Sequence, residues 1–351
     1  MRKFLHNNID DFTSVLDEVS EYSGIRKDIL EKDYYISLML FELSEKQHFN
    51  NLPAYFKGGT ALYKALGKLK RFSEDIDLSV NTVGVSNSKN KTLLENATKK
   101  YAFLERDVEK SVSYRSSITT SYKYNPVADN NRKDVLGRFG SVKIEATSFT
   151  KAEPTTEMMV PTLLYSAAPD NLKEIILKQK YSFSMEPFPI QIISFERIFV
   201  DKIFAVEAYS RKCSQELTEP DYTNYAREVG KHIYDLAVMM EMPNIKDFLK
   251  QDDKVAYIVN IRLEEEQNRL DGIPGVPTTE FTWIDLIKEN PLIQQGYEKM
   301  LDVYVFNDED KIPFDTVYGK MVSLNKTLCK CQGWIKSNEF GVPNTSRIMN
   351  D

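Results

Sequence analysis

The sequence predicts an α/β (α+β) half followed by a helical half. Three observations predict it. Apolar residues recur at helical spacing over the first ~50 positions. Between about residues 54 and 149 that spacing gives way to short alternating runs bounded by glycine and polar loops. Beyond about residue 188 helical spacing returns and dominates. With 351 residues the chain is long enough for about two domains.

In order along the chain, Ile9, Phe12, Val15, Leu16 and Val19 predict a first helix punctuated by Gly24. A second runs from about Ile25 to Leu43 through Glu31-Lys32-Asp33-Tyr34-Tyr35. Tyr55-Phe56-Lys57 is a short strand ending at Gly58-Gly59, and Thr60 to Leu66 a short helix stopped by Gly67. Asp75 to Val80 alternates as a strand. The charged stretch from about Thr92 to Val112 predicts a helix, and strands are expected near residues 113–124 and 140–149. The second half predicts helices over about 194–211, 231–240, 254–270, 291–304 and 314–329. The last ~15 residues are polar.

Composition narrows the function classes. Net charge is −6, so nucleic-acid contact calls for a local basic patch. Lys57, Lys64, Lys68, Lys70 and Arg71, with no acidic residue among them, are the candidate. Three cysteines make no disulfide framework, and Cys329-x-Cys331 lacks a second ligand pair. No apolar run approaches a membrane span, and no secretory pattern opens the chain, so a cytoplasmic protein without membrane partners is expected.

Chemistry concentrates in residues 57–77. On a strand, Asp75 and Asp77 point to one face, and two adjacent carboxylates repel unless a divalent cation such as Mg²⁺ relieves them. Ile76, Leu78 and Val80 then face the core. Gly58-Gly59 lets the backbone approach a ligand closely, and the helix that follows offers unpaired N–H groups to a phosphate. Thr60 adds a hydroxyl. A bare Asp-x-Asp is often a solvated turn and a bare Gly-Gly-Thr a helix start; their ordered combination points to phosphoryl or nucleotidyl transfer. A P-loop is a poor alternative, because Leu69 follows Lys68 and Leu62 occupies the first glycine position.

Elsewhere, Glu145 in Gly140–Phe149 is a candidate third carboxylate, or an exposed strand glutamate. Lys202 lies within the apolar stripe Phe195, Ile198, Phe199, Ile203, Val206, so it must snorkel or meet an anion. Asp235 sits in the apolar run 232–240 and needs a partner, with His232, Lys202 or a nucleotide as candidates and a purely structural bond to a histidine or an arginine as the alternative.

The string KGGTALYKALGKLKRFSEDIDL resembles motif I of the AbiEii/AbiGii toxin nucleotidyltransferases, which have a polymerase-beta-like fold and belong to type IV toxin–antitoxin and abortive-infection (phage defence) systems. GIRKDILEKDYYISLML is similar to that family's upstream helix, with Tyr35 where Trp is usual. SFERIFVDKIFAVEAYSR and GKHIYDLAVMM resemble its lysine and aspartate motifs. The resemblance implies a nucleotidyltransferase core with a small mixed sheet flanked by helices over residues 1–190, and a helical domain over 191–351 that adds a Lys and an Asp to the active-site cleft. It implies two Mg²⁺ ions on Asp75, Asp77 and Glu145. The NTP phosphates, with GTP or CTP among the candidates, would lie on Gly58, Gly59, Thr60 and Lys202, with Ser73 beside the metals and Asp235 orienting Lys202 or activating the acceptor. The expected partners are an RNA acceptor such as a tRNA 3′ end and a cognate antitoxin encoded nearby. The alternatives are nucleotidyl transfer to a small molecule or protein hydroxyl, and a non-catalytic nucleotide-binding protein.

Overall fold

The computed structural model describes residues 3–66, 71–128, 139–178, 181–215, 219–269, 272–305 and 307–337. The chain divides into two units: residues 1–67 with 72–193, and residues 68–71 with 194–351.

The first unit opens with α1 (Ile9–Ser23) and α2 (Lys27–Asn50). Then come β1 (Ala54–Lys57), α3 (Gly58–Leu66), β2 (Asp75–Val80), α4 (Asn87–Thr98), β3 (Glu105–Ser113), β4 (Ser117–Lys123) and β5 (Ser141–Thr147). β6 (Thr155–Val160), α5 (Leu163–Ala167), α6 (Asp170–Lys178) and β7 (Phe188–Ile193) complete it. Among the described residues the strands form one mixed sheet in the order β3-β4-β5-β2-β1-β7-β6. The mixed sheet with flanking helices is the predicted class.

Two expectations need correction. Residues 92–112 are not one helix: α4 ends at Thr98, and residues from Glu105 form the edge strand β3. Nearly every β3 side chain is exposed, so no core-facing alternation marks the strand in sequence. β6 and β7 were not anticipated. β7 carries Pro189, a residue that ordinarily argues against an interior strand, yet it pairs with both β1 and β6.

α2 holds this unit together. Apolar and polar residues alike are buried along most of its length, and several of the polar ones find partners far along the chain. Glu31 accepts from the backbone N–H groups of Val127 (2.8 Å) and Ala128 (3.1 Å). Lys32 donates to the Ser141 carbonyl. Glu42 accepts from Ala102 (2.9 Å), and Gln47 bonds Ala54 and Gln191. Asp33 accepts from the Leu163 N–H and the Lys64 ammonium, both at 2.6 Å, and Lys64 also donates to Ser37 (2.6 Å).

The second unit is helical: α7 (Phe195–Cys213), α8 (Glu219–Met239), α9 (Pro243–Phe248), α10 (Asp252–Glu266), α11 (Trp283–Glu289), α12 (Pro291–Tyr304), α13 (Phe314–Leu328) and α14 (Gln332–Ile335). α7 and α10 share a buried ionic network. Arg197 bonds Asp201 (3.0 Å) and Glu265 (2.6 Å), and Arg262 reaches Asp201 (3.2 Å) and Glu266. Fully buried Glu207 accepts from the N–H groups of Thr282 and Trp283 (2.7 Å), placing its charge on the positive end of α11. The three cysteines are unbridged. No helix among the described residues is long and apolar enough to cross a membrane.

The Asp33–Lys64 pair gives a stability test. Lys64→Met leaves Asp33 charged and buried, a loss of about 3 kcal/mol. Adding Asp33→Asn, whose carbonyl still accepts from Leu163, should restore part of it. Denaturant unfolding of both variants checks this.

Candidate active site

Strand register builds the first cluster. β1 runs antiparallel to β2 with Lys57 opposite Asp77, and β5 runs parallel to β2 with Asp75 opposite Lys143 and Asp77 opposite Glu145. Residues paired across strands share a face, so Lys57, Asp75, Asp77, Lys143 and Glu145 lie together on one side of the sheet. The opposite side carries Phe56, Ile76, Leu78, Ile144 and Ala146, all buried. The alternation of β2 thus splits charge from core as its sequence implied.

The charges are unevenly balanced. Lys143 Nζ lies 2.9 Å from Asp75 Oδ2. Asp77 is half-buried, and burial, followed by the charges of Asp75 and Glu145, raises its carboxyl to about 7 despite Lys57 and Lys143. Lys57 is drawn to Thr147 Oγ1 (3.0 Å).

Gly58 follows β1 with φ +79°, and a Cβ there would lie 2.4 Å from Asp77 Oδ2. Only glycine permits both that backbone angle and that contact. Gly58 and Gly59 form the first turn of α3, whose N–H groups have no acceptor within the helix. Thr60 departs from the expected part. It is fully buried, and its hydroxyl bonds the Asp75 carbonyl (2.5 Å) and Ser73 Oγ (2.9 Å). In this arrangement Thr60 braces the start of β2 and Ser73 and presents no hydroxyl to solvent.

Among the described residues no three His, Cys, Asp or Glu side chains converge as a metal-holding group. The chemistry of the donor set nevertheless fits a divalent cation: hard oxygens of Asp75, Asp77 and Glu145 share one sheet face, and their mutual repulsion adds to burial in raising Asp77. Lys143 is the cation that answers Asp75 here.

The second cluster lies within the second unit. Asp235 of α8 is fully buried and takes three charge-assisted bonds: Arg71 Nε (2.7 Å) and Nη2 (2.6 Å), and Lys202 Nζ of α7 (2.6 Å). Burial alone would raise this carboxyl; Arg71 and then Lys202 outweigh it and hold it at about 2. Of the two outcomes open to a lysine in an apolar stripe, Lys202 meets an anion, and neighbouring Asp201 belongs to the Arg197–Arg262 network. Of the candidate partners of Asp235, Lys202 takes the role and His232 does not. Its Nδ1 has no hydrogen-bond partner among the described residues, its ring stacks on Tyr209 at 5.8 Å, and burial lowers it to about 3.

Arg71 is the contributor that sequence reading missed, having been assigned to a surface basic patch. That patch is thinner than expected: Lys64 and Arg71 are buried in ion pairs, and Lys68 and Lys70 lie outside the described residues. The signal available was the pair of buried acids, Asp33 and Asp235, each in need of a cation.

Two outcomes follow. Because the folded Asp77 binds its proton more tightly than the unfolded carboxyl, its penalty is absent below about pH 4 and grows as pH rises toward 7. Asp77→Asn should therefore be more stable than wild type at pH 8, by roughly 2 kcal/mol after solvent screening, and equal to it at acid pH. Mg²⁺ should raise the melting temperature of wild type at pH 8 and leave Asp77→Asn unmoved. For Asp235, depressed in the fold, the stabilisation is present above about pH 4 and is lost toward pH 2. Asp235→Ala strands two buried cations and should cost about 3–5 kcal/mol in calorimetry.

A family model described as nucleotidyl transferase AbiEii toxin, Type IV TA system, matches residues 38–320. No curated protein matches the chain.

Proposed function

This chain belongs to the AbiEii family of nucleotidyl transferase toxins of type IV toxin–antitoxin systems, and from that premise we propose that it transfers a nucleoside monophosphate from an NTP to an RNA acceptor, with a tRNA 3′ end as the favoured target. The mixed sheet and its flanking helices are consistent with a nucleotidyltransferase fold. The observation that carries the reading is the β1-α3-β2 unit: a glycine turn at a helix N-terminus pressed directly against one of three carboxylates on a single sheet face.

In the proposed reaction Asp75, Asp77 and Glu145 would hold two Mg²⁺ ions, which supply charge neutralisation at the attacking hydroxyl and at the departing pyrophosphate. The N–H groups of Gly58 and Gly59 bind the β- and γ-phosphates, aided by the positive end of α3. Ser73, braced by Thr60, stands two residues before the first carboxylate. Lys202 contributes positive charge toward the triphosphate, and Asp235 fixes its orientation through the 2.6 Å bond, while Arg71 keeps Asp235 ionised. A cognate antitoxin is the partner that goes with a chain of this family.

The test is incubation with Mg²⁺, each α-labelled NTP in turn, and total RNA. Label on RNA is expected, and Asp75→Ala and Asp77→Ala should each cut it below roughly one hundredth of wild type while circular dichroism stays native. Label on a small molecule or on protein, with none on RNA, overturns the acceptor assignment. Full transfer by both variants overturns the site.

A further inference from the structure

The second unit carries a basic trough that the transfer chemistry does not use. Between Asp315 and Glu339 the sequence has no acidic residue but four lysines: Lys320, Lys326, Lys330 and Lys336. Ser323, Lys326, Thr327 and Lys330 fall at i, i+3, i+4 and i+7 of α13 and its end, so they share one helix face. That face, with Lys250 and Asp252 from the α9–α10 region, lines a depression of about 490 Å³.

The charges are disposed toward an anion. Lys326 and Lys330 are exposed, and neither has an ion pair among the described residues. Lys250 is largely exposed and held by Asp247 at 2.9 Å. The lining carboxylate, Asp252, is spent inward on the Gly333 N–H (3.0 Å) and Cys331 Sγ (3.4 Å). Ser323 Oγ has no partner among the described residues, whereas Thr327 Oγ1 donates to the Ser323 carbonyl. Lysines with hydroxyls are the groups that contact phosphodiester oxygens irrespective of sequence. The lining holds no aromatic side chain, the kind of anchor a protein partner would use.

We propose that this trough binds the phosphodiester backbone of the acceptor RNA, a sequence-independent grip distinct from the groups that handle the nucleotide. The proposal rests on the RNA-acceptor reading above and adds where that RNA is held. It also supplies positive surface that the residues 57–71 cluster, with Lys64 and Arg71 buried, does not.

The experiment compares the full chain with Lys326→Ala/Lys330→Ala and with the triple variant that adds Lys250→Ala. The probe is fluorescein-labelled total tRNA, followed by anisotropy over a range of salt. In the double variant, log K against log salt should become shallower by about 1.5–2, and low-salt affinity should fall by roughly tenfold. The triple variant should fall further, while affinity for NTP is unchanged. Equal RNA affinity and slope in all three proteins overturn the trough, and if RNA labelling persists in wild type the acceptor reading survives that failure. A wild type that binds no tRNA overturns the proposal outright. Polyglutamate binding that equals RNA binding and is lost in the same variants overturns RNA in favour of an acidic protein.

Discussion

The sheet-bearing unit depends on how charge is kept inside it. A helix as buried as α2 would ordinarily be apolar all round, yet this one carries Glu31, Lys32, Asp33, Glu42 and Gln47 into the interior. Each is tolerable only with a partner, since an unpaired buried charge costs several kcal/mol. The partners are the Lys64 ammonium and backbone groups of residues 54, 102, 127, 128, 141, 163 and 191, so satisfying α2 also fixes where those segments lie. The Asp33–Lys64 bond is the one that matters most for chemistry. It anchors the last turn of α3, and the first turn of the same helix carries Gly58 and Gly59.

The helical unit solves the same problem largely by pairing side chains with one another. Arg71 and Lys202 pair with Asp235 in one place, and Arg197 and Arg262 with Asp201, Glu265 and Glu266 in another. Such networks add little net stability over apolar packing, but they penalise any alternative arrangement that leaves one member alone. Asp235 with two cations is therefore held in a single geometry, a useful property for a group meant to orient Lys202.

Much of this was legible in sequence because periodicity reports one-sided burial. β2 was read to its ends, since Ile76, Leu78 and Val80 face the core while Asp75 and Asp77 do not. α12 and α13 were read almost as well for the equivalent helical reason. Reading failed where burial is not one-sided. β3 is exposed on both faces, so its Glu and Lys content looked helical. β7 carries a proline. The basic run 57–71 looked like a surface patch because sequence shows a charge but not its partner; Asp33 lies 31 residues before Lys64, and Asp235 lies 164 residues after Arg71. The carboxylate pair could be placed on one face from spacing alone, whereas the third member, Glu145, joins through parallel pairing with a strand some seventy residues away, and only register reveals that.

The family match begins at residue 38, but the long-range buried contacts of α2 include those of Glu31, Lys32 and Asp33. A fragment trimmed to the matched segment would lack Glu31, Lys32 and Asp33. Lys64 would lose its counter-ion, and the N–H groups of Val127, Ala128 and Leu163 their acceptors. The segment that the family model matches is thus shorter than the segment whose buried charges depend on one another, and a truncation at residue 38 should be less stable than the full chain.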